Sequence, residues 1–136
     1  MKRTLGIDFG RRRIGVAVSD ALGMTAQALT TLSVRGRRDA CRKLSELIVA
    51  NEIGTIVMGL PLNMDGTRGE MVDEVERLAH QLTTETGHPV EFWDERMTSQ
   101  AASRVIRTSG QKAPGGAVDR IAACLILEGY LKSKRP

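Results

Sequence analysis

The chain has 136 residues, 41% of them hydrophobic, and a formal net charge of +4 at pH 7 from 20 basic and 16 acidic side chains. This length and hydrophobic content suit one compact domain, and the positive charge is compatible with an anionic partner such as nucleic acid. Only 3% of the residues are aromatic, which disfavours extended stacking of single-stranded bases, and two cysteines are too few for a disulfide framework or a zinc site.

The first predicted elements are three strands. Alternating apolar residues predict a strand over 3–9, and a second apolar run predicts another over 14–19. The arginines at 11–13 lie between these two runs, and so short a connection favours an antiparallel hairpin. A loop over 20–27 then leads to a third strand over 28–34.

Asp8 is a carboxylate in an otherwise apolar strand, on the face that it shares with Thr4 and Gly6. A buried carboxylate without a partner is very costly, so this position predicts a bound cation. The alternative is that Asp8 begins a turn into Gly10, since Asp-x-Gly is common where strands end.

The pattern changes after residue 34 to alternating helices and strands. Apolar residues at helical spacing predict an amphipathic helix over 37–52, which Gly54 ends, and a short apolar run predicts a strand over 55–59. A Pro/Gly/Asn/Asp-rich loop over 60–69 precedes a second helix that ends near Gly87, and residues 90–94 form a fifth strand.

Two further helices are predicted near the C-terminus. Thr98 is a good N-cap for a helix that carries Ala101, Ala102, Val105 and Ile106, and a breaker stretch follows over 111–116. The last helix spans about 117–132 and is apolar almost all round from Ile121 to Leu127, so we expect it to be deeply packed. The cysteines at 41 and 124 lie in helical patterns and are expected to be buried free thiols.

This element order predicts an α/β fold in which a mixed five-stranded sheet is flanked by helices on both faces. We expect residues 1–136 to form a single domain, because no linker or repeat divides them. The N-terminus leads directly into a strand, so we expect a cytoplasmic protein without a signal peptide or a membrane partner.

Three acidic residues, Asp8, Glu95 and Asp119, are candidates for one site. In alternating sheets, ligands gather at the carboxyl ends of parallel strands, where Asp8 and the pair Asp94 and Glu95 lie. Asp119 lies in the first turn of the last helix, and the small residues that follow it allow a close approach to the sheet. Carboxylates without a matching histidine favour Mg²⁺ or Mn²⁺. Two such ions about 4 Å apart can activate water and stabilise the leaving oxygen in phosphodiester hydrolysis. The alternatives are an ion pair of Glu95 with Arg96 and helix-terminus placement of Asp119.

Four ordered segments resemble the YqgF (RuvX) family across nearly the whole chain. They are Gly6-Ile-Asp8-Phe-Gly10 continuing to Arg13-Ile-Gly15-Val-Ala-Val-Ser-Asp20, Gly59-Leu-Pro61-Leu-Asn63-Met-Asp-Gly66-Thr, Asp94-Glu95-Arg96-Met-Thr98-Ser, and Asp119-Arg-Ile-Ala122-Ala123-Cys-Leu-Ile-Leu127. The resemblance implies a ribonuclease H-like fold and a metal-dependent nuclease that trims the 5′ end of precursor 16S ribosomal RNA, with ribosomal particles as further partners. Resolution of Holliday junctions is the other activity that it implies.

The resemblance assigns the metal site to Asp8, Glu95 and Asp119. Related junction resolvases carry an acid at the end of the fourth strand, where this chain has Gly59, Leu60 and Pro61. Glu95 must therefore supply the missing carboxylate, and Asp94 is the competing candidate.

Nucleic-acid contacts are expected from Arg11, Arg12 and Arg13 beside Asp8, with a solvated hairpin turn as the alternative. Asn63 lies in a loop that either closes over the substrate or only connects two elements.

Two other functions stay open at this point. Asp8-x-Gly10 with a hairpin also resembles the phosphate-binding hairpin of actin-like ATPases and sugar kinases, although this chain is too short for their two lobes. The other function is that of a non-catalytic RNA-binding assembly factor.

Overall fold

The computed structural model describes residues 2–63, 65–97 and 116–135. The elements in this part of the chain are β1 (Arg3–Asp8), β2 (Arg13–Ser19), β3 (Ala26–Ser33), α1 (Arg37–Ala50), β4 (Ile53–Leu60), α2 (Val72–Thr86), β5 (Val90–Asp94), a short 3₁₀ helix (Glu95–Met97) and α3 (Ala117–Ser133). None of the described helices has the length and apolar character that crossing a membrane requires.

The five strands form one mixed sheet in the order β3-β2-β1-β4-β5. β1 and β2 form the predicted antiparallel hairpin, in which Asp8 pairs with Gly15. β3 also pairs with β2 in an antiparallel arrangement. β4 runs parallel to β1 and to β5. The carboxyl ends of β1, β4 and β5 therefore lie at one edge of the sheet, as the position of the candidate carboxylates requires.

Helices cover both faces of the sheet. Leu5 and Ile7 of β1 point into the larger core beneath α1 and α2. The alternate residue Gly6 faces α3, where a side chain at its position would come within 2.8 Å of Leu127 Cβ. Asp8 shares the Gly6 face and therefore points to the α3 side of the sheet. The predicted mixed five-stranded sheet with helices on both faces is confirmed.

Several predicted boundaries were wrong, and for the strands the reason is that pairing extends past the local sequence signal. β3 begins at Ala26 rather than residue 28, since Ala26 pairs with Ser19 across the hairpin. β4 spans Ile53–Leu60 instead of 55–59 and includes Gly54, which the sequence pattern treated as a break. α1 ends at Ala50, two residues before its predicted end.

The last helix is less deeply packed than its composition predicts. Ala123, Ile126 and Leu127 are buried against the sheet, but Ile121 is 44% exposed, because only one side of α3 rests on the strands. Both cysteines are free thiols; Cys41 is buried as expected and Cys124 is only half-buried. The helix predicted from Thr98 and the breaker residues 111–115 lie outside the described residues.

Candidate active site

The structure brings the Asp8, Glu95 and Asp119 carboxyl groups together on the α3 side of the sheet. Asp8 is the last residue of β1, Glu95 is the first residue after β5, and Asp119 lies in the first turn of α3. The Asp8 carboxyl is hydrogen-bonded to the Glu95 carboxyl, and the charges of Glu95 and Asp119 both act on it. Three elements that are distant in sequence thus supply one acidic cluster.

The acidic cluster binds protons strongly at Asp8. Burial raises the pKa of the Asp8 carboxyl to about 8, and the charge of Glu95, the hydrogen bond to Glu95 and the charge of Asp119 act in the same direction. Burial and like charges both disfavour the ionised carboxylate. Near neutral pH, the site therefore needs either a proton or a cation between Asp8 and Glu95.

Asp119 presents an oxygen with unused hydrogen-bonding capacity. Its Oδ2 atom is buried and accepts no hydrogen bond from any residue that the structure describes. An ion pair with Arg13, at 3.4 Å between Nε and Oδ2, offsets part of its charge. Buried polar atoms are rarely left unsatisfied, so this oxygen is available to a ligand.

Two residues that sequence reasoning missed, Gly15 and Thr31, seat the start of α3 on the sheet. A Cβ atom at Gly15 would lie 1.9 Å from the Asp119 carbonyl oxygen, so only glycine permits this approach. Thr31, which pairs with Gly15 across β2 and β3, donates a hydrogen bond of 2.5 Å from Oγ1 to the Gly116 carbonyl. A glycine inside a predicted strand is a signal of close backbone approach, and it was the available clue.

Replacing Thr31 with valine should impair the site through Asp119. The variant loses the hydrogen bond to Gly116 while keeping the size of the side chain, so α3 begins in a less defined position. We expect about 1 kcal/mol lower stability and a roughly tenfold slower cleavage of nucleic acid. Urea denaturation and a cleavage assay measure the two effects. Thr31→Ser should restore both; equal behaviour of the valine and wild-type proteins would show that this bond does not position Asp119.

Gly59, at the end of β4, leaves the space that the Glu95 side chain occupies. A Cβ atom at this position would lie 2.7 Å from Glu95 Oε1 and 2.6 Å from Ile126 Cδ1. A side chain here would have to displace the Glu95 carboxylate and the tip of the Ile126 side chain. The end of β4 carries no acidic residue of its own, and the Glu95 carboxylate packs against it.

The competing carboxylate, Asp94, is engaged elsewhere. Its Oδ2 atom lies 2.7 Å from Arg96 Nη2, and its Oδ1 atom accepts the Arg96 backbone N–H. These contacts with Arg96 hold the pKa of Asp94 below its usual value. The geometry thus places Glu95 beside Asp8 and pairs Asp94 with Arg96.

The residues expected to contact nucleic acid differ in their surroundings. The Arg11 guanidinium binds both oxygens of Glu74, at 2.9 and 3.2 Å from Nε, and Arg13 is paired with Asp119. Arg12 is exposed and forms no ion pair with a described residue. Asn63 donates through Nδ2 to Thr67 Oγ1 at 2.9 Å, which closes its own loop. Only Arg12 is thus uncommitted among these four side chains.

The acidic cluster fits a divalent cation by its chemistry. Within residues 2–63, 65–97 and 116–135, no three His, Cys, Asp or Glu side chains are already spaced to hold a metal ion. The donors are carboxylate oxygens alone, which suit Mg²⁺ or Mn²⁺. The strong proton binding at Asp8 indicates a site that a cation would stabilise, and so does Asp119 Oδ2, which accepts no hydrogen bond within the described part of the chain.

Known proteins resemble this chain in sequence over almost its whole length. A relative from Koribacter versatilis is 46% identical over 134 residues, covering 97% of this chain and 88% of the relative. A relative from Geobacillus sp. is 42% identical over 137 residues, covering 98% and 99%. Both relatives bear the name "Putative pre-16S rRNA nuclease".

Solved structures share the fold at low sequence identity. Thermus thermophilus RuvC in complex with a Holliday junction substrate matches with a TM-score of 0.62 and 15% identity, over 98% of this chain and 97% of RuvC. The fowlpox virus Holliday junction resolvase matches with a TM-score of 0.59 and 11% identity, over 96% and 99%. These neighbours show that the fold is ribonuclease H-like.

The family model matches residues 2–133 and is described as RuvX, Holliday junction resolvase. The match covers all four segments on which the sequence resemblance rested. With relatives above 40% identity along the full length, the chain belongs to the RuvX family.

Proposed function

We propose that this protein is a divalent-metal-dependent nuclease that processes the 5′ end of precursor 16S ribosomal RNA in the cytoplasm. The observation that carries this proposal is the acidic cluster of Asp8, Glu95 and Asp119, which combines strong proton binding with a buried oxygen that accepts no hydrogen bond from the described residues. The name shared by the relatives supports precursor 16S RNA as the substrate. The proposal includes ribosomal particles as the setting in which the RNA is presented, on the strength of the sequence resemblance alone.

Asp8, Glu95 and Asp119 would hold Mg²⁺ or Mn²⁺, and two ions suit phosphodiester hydrolysis. Divalent cations at such sites activate water and stabilise the leaving oxygen. Asp8 and Glu95 would supply two of the carboxylates that bind the cation, and Asp119 would supply the third from α3. The ion pair between Arg13 and Asp119 reduces the electrostatic repulsion among these three carboxylates.

Holliday junction resolution is the second candidate function. It is supported by the description of the matching family model, which names that activity. The same acidic cluster would serve either substrate, because both reactions hydrolyse a phosphodiester bond. A third possibility, an RNA-binding assembly factor without catalysis, is less well supported because all three carboxylates are present and the charges of Glu95 and Asp119 both act on Asp8.

A cleavage assay separates these functions. The purified chain is given a precursor 16S leader RNA and a four-way DNA junction, each with Mg²⁺, Mn²⁺ or chelator. We expect metal-dependent cutting of the RNA. Cutting of the junction alone would establish the resolvase function instead, and binding of RNA without cutting in either metal would favour the assembly factor.

Arg12 should account for most of the phosphate binding by the hairpin turn. Replacing Arg11, Arg12 and Arg13 with alanine together should flatten the salt dependence of RNA binding, and Arg12→Ala alone should produce most of that effect, since the other two are already paired. Each lost phosphate contact on a single strand reduces the slope of log K against log salt by about 0.7. Fluorescence anisotropy over a salt series measures the slope.

The matched control is Arg3→Ala, since Arg3 is exposed at the opposite end of β1. It changes the net charge equally and should leave the slope unaltered. An unchanged slope for the triple variant would place the RNA on another surface.

A further inference from the structure

A small cavity lies behind the acidic cluster, on the face of the sheet that α1 and α2 cover. It has a volume of about 280 Å³ and lies between the turn that follows β1 and the two helices. Phe9 and Arg11 line it, one and three residues after Asp8. An extended chain advances at most about 3.6 Å per residue, so the backbone of Arg11 lies within about 11 Å of Asp8.

The wall of the cavity carries an excess of positive charge. Among the described residues, its lining contains three arginines, Arg11, Arg37 and Arg77, and one carboxylate, Glu74. Glu74 is already bound through both oxygens by Arg11. Arg37 has a neutral partner, Gln81 Oε1 at 3.1 Å from its Nε atom. Two guanidinium charges are therefore left to bind an anion.

Arg77 is the more available of these two. It is exposed on α2 and forms no hydrogen bond or ion pair with any residue in the described part of the chain. Guanidinium groups bind phosphate oxygens in a two-pronged geometry, which makes arginine the preferred residue for phosphate recognition. The pair Arg37 and Arg77 thus supplies phosphate donors from two different helices.

The floor of the cavity is apolar. Val34 and Ala40 are buried there, and Phe9 contributes a partly buried ring. An apolar floor beneath a basic rim suits a sugar or base attached to a phosphate better than an isolated inorganic anion. The volume is below the about 300–1,000 Å³ of pockets that enclose drug-sized ligands, so one nucleotide unit fits and a duplex does not.

We propose that this cavity binds one nucleotide of the RNA strand, with its phosphate held by Arg37 and Arg77, on the strand that flanks the scissile phosphate. The inference rests on the proposed nuclease function and extends it, because it assigns the substrate a second contact on the opposite face of the sheet. The strand passes from the acidic cluster over the arginine turn into the cavity.

The test measures RNA binding by Arg37→Ala and Arg77→Ala in the Asp8→Asn protein, which leaves the RNA intact. The probe is a fluorescently labelled single-stranded 12-nucleotide segment of the precursor leader, followed by anisotropy at several salt concentrations. Each variant should bind about tenfold more weakly, as expected for a lost charge-assisted contact, with a salt slope smaller by about 0.7.

Arg42→Ala is the matched control. Arg42 lies on the same helix as Arg37, is 62% exposed and is held by Asp39 and Glu46, away from the cavity. It should alter RNA affinity by less than about twofold, as is usual for a surface charge that is already paired. If Arg37→Ala and Arg77→Ala weaken binding no more than Arg42→Ala does, the cavity does not hold the RNA.

A second measurement locates the phosphate. Single phosphates of the RNA are replaced in turn with neutral methylphosphonates. One position should weaken binding to the parent protein and have no further effect on the Arg77→Ala variant. Equal losses in both proteins at every position would overturn the assignment, as would adenosine monophosphate binding as tightly as the RNA. RNA binding that is absent from the parent protein itself would overturn the proposed nuclease function together with this inference.

Discussion

Replacing Asp8 with asparagine should lower the rate of RNA cleavage by about a thousandfold or more, while RNA affinity changes by less than about twofold. Asparagine keeps the size of the side chain but removes the charge that would hold a divalent cation, and loss of a charge-stabilising group in an active site has effects of this order. RNA affinity should be retained because we propose that arginines make the phosphate contacts. Single-turnover cleavage with Mn²⁺ and anisotropy on the same RNA measure the two quantities.

Neighbouring carboxylates provide the comparison for this variant. Glu95→Gln should lose activity almost as completely, because Glu95 is hydrogen-bonded to Asp8. Asp94→Asn should lose only about tenfold, through its pairing with Arg96 beside Glu95. The reverse order of the two effects would assign the metal-binding role to Asp94. Loss of both cleavage and RNA binding in a folded Asp8→Asn protein would contradict the separation of metal and phosphate contacts.

The same substitution should stabilise the metal-free protein at alkaline pH. The pKa of Asp8 is about 8 in the folded protein and 3.8 as the reference value for an unfolded chain. Between these values the folded state binds more protons than the unfolded state, so the free energy of unfolding falls as the pH rises from about 4 to 8. The full difference in pKa corresponds to at most about 6 kcal/mol, and relaxation of the site should reduce it to about 2–3 kcal/mol.

Thermal or urea denaturation in chelator at pH 5 and pH 8 measures this effect. The Asp8→Asn protein should be more stable than the wild type at pH 8, by roughly 10 °C in melting temperature, and the two should converge towards pH 4. Mn²⁺ should stabilise the wild type at pH 8 and leave the variant unchanged, since only the wild type keeps the full carboxylate set. A wild-type stability that rises from pH 5 to pH 8 in parallel with the variant would show that Asp8 is not protonated in the folded protein.

Acidic residues whose pKa lies below the usual value do not affect the difference in stability between the wild type and the Asp8→Asn protein. Backbone and side-chain hydrogen bonds from residues 23–25 hold the pKa of Asp20 below its usual value, and Arg35 and Arg42 do the same for Asp39. Such groups stabilise the folded state above pH 4 and lose that contribution in acid. They are present in both proteins, so the difference between wild type and variant reports on Asp8.

Much of the architecture was predictable because it depends on neighbouring residues. The alternation of Leu5 and Ile7 with Gly6 and Asp8 is sufficient to place the acid on the opposite face from the main core. The change to a helical period after residue 34 was equally clear. The proximity of two candidate acids was also predictable, since Asp8 ends β1 and Glu95 follows β5, and the carboxyl ends of these strands lie at the same edge of the sheet.

Other features depend on residues that are far apart in the chain. The pairing of Arg11 with Glu74 spans 63 positions, so no local pattern could show that this arginine is already neutralised. The cavity between Arg37 and Arg77 exists only because α1 and α2 pack side by side. The exposure of Ile121 likewise follows from which side of α3 rests on the strands.

The choice between Asp94 and Glu95 shows most clearly which features the sequence determines and which features depend on the tertiary structure. The adjacent acids are equivalent in composition and position, and the sequence limits the third member of the proposed metal site to this pair. Only the folded chain separates them, because the glycine at the end of β4 leaves room for Glu95 while Arg96 binds Asp94. Strands and helices follow from short-range periodicity, whereas the ionisation and partners of each carboxylate follow from desolvation and charges that only tertiary packing brings within a few ångströms.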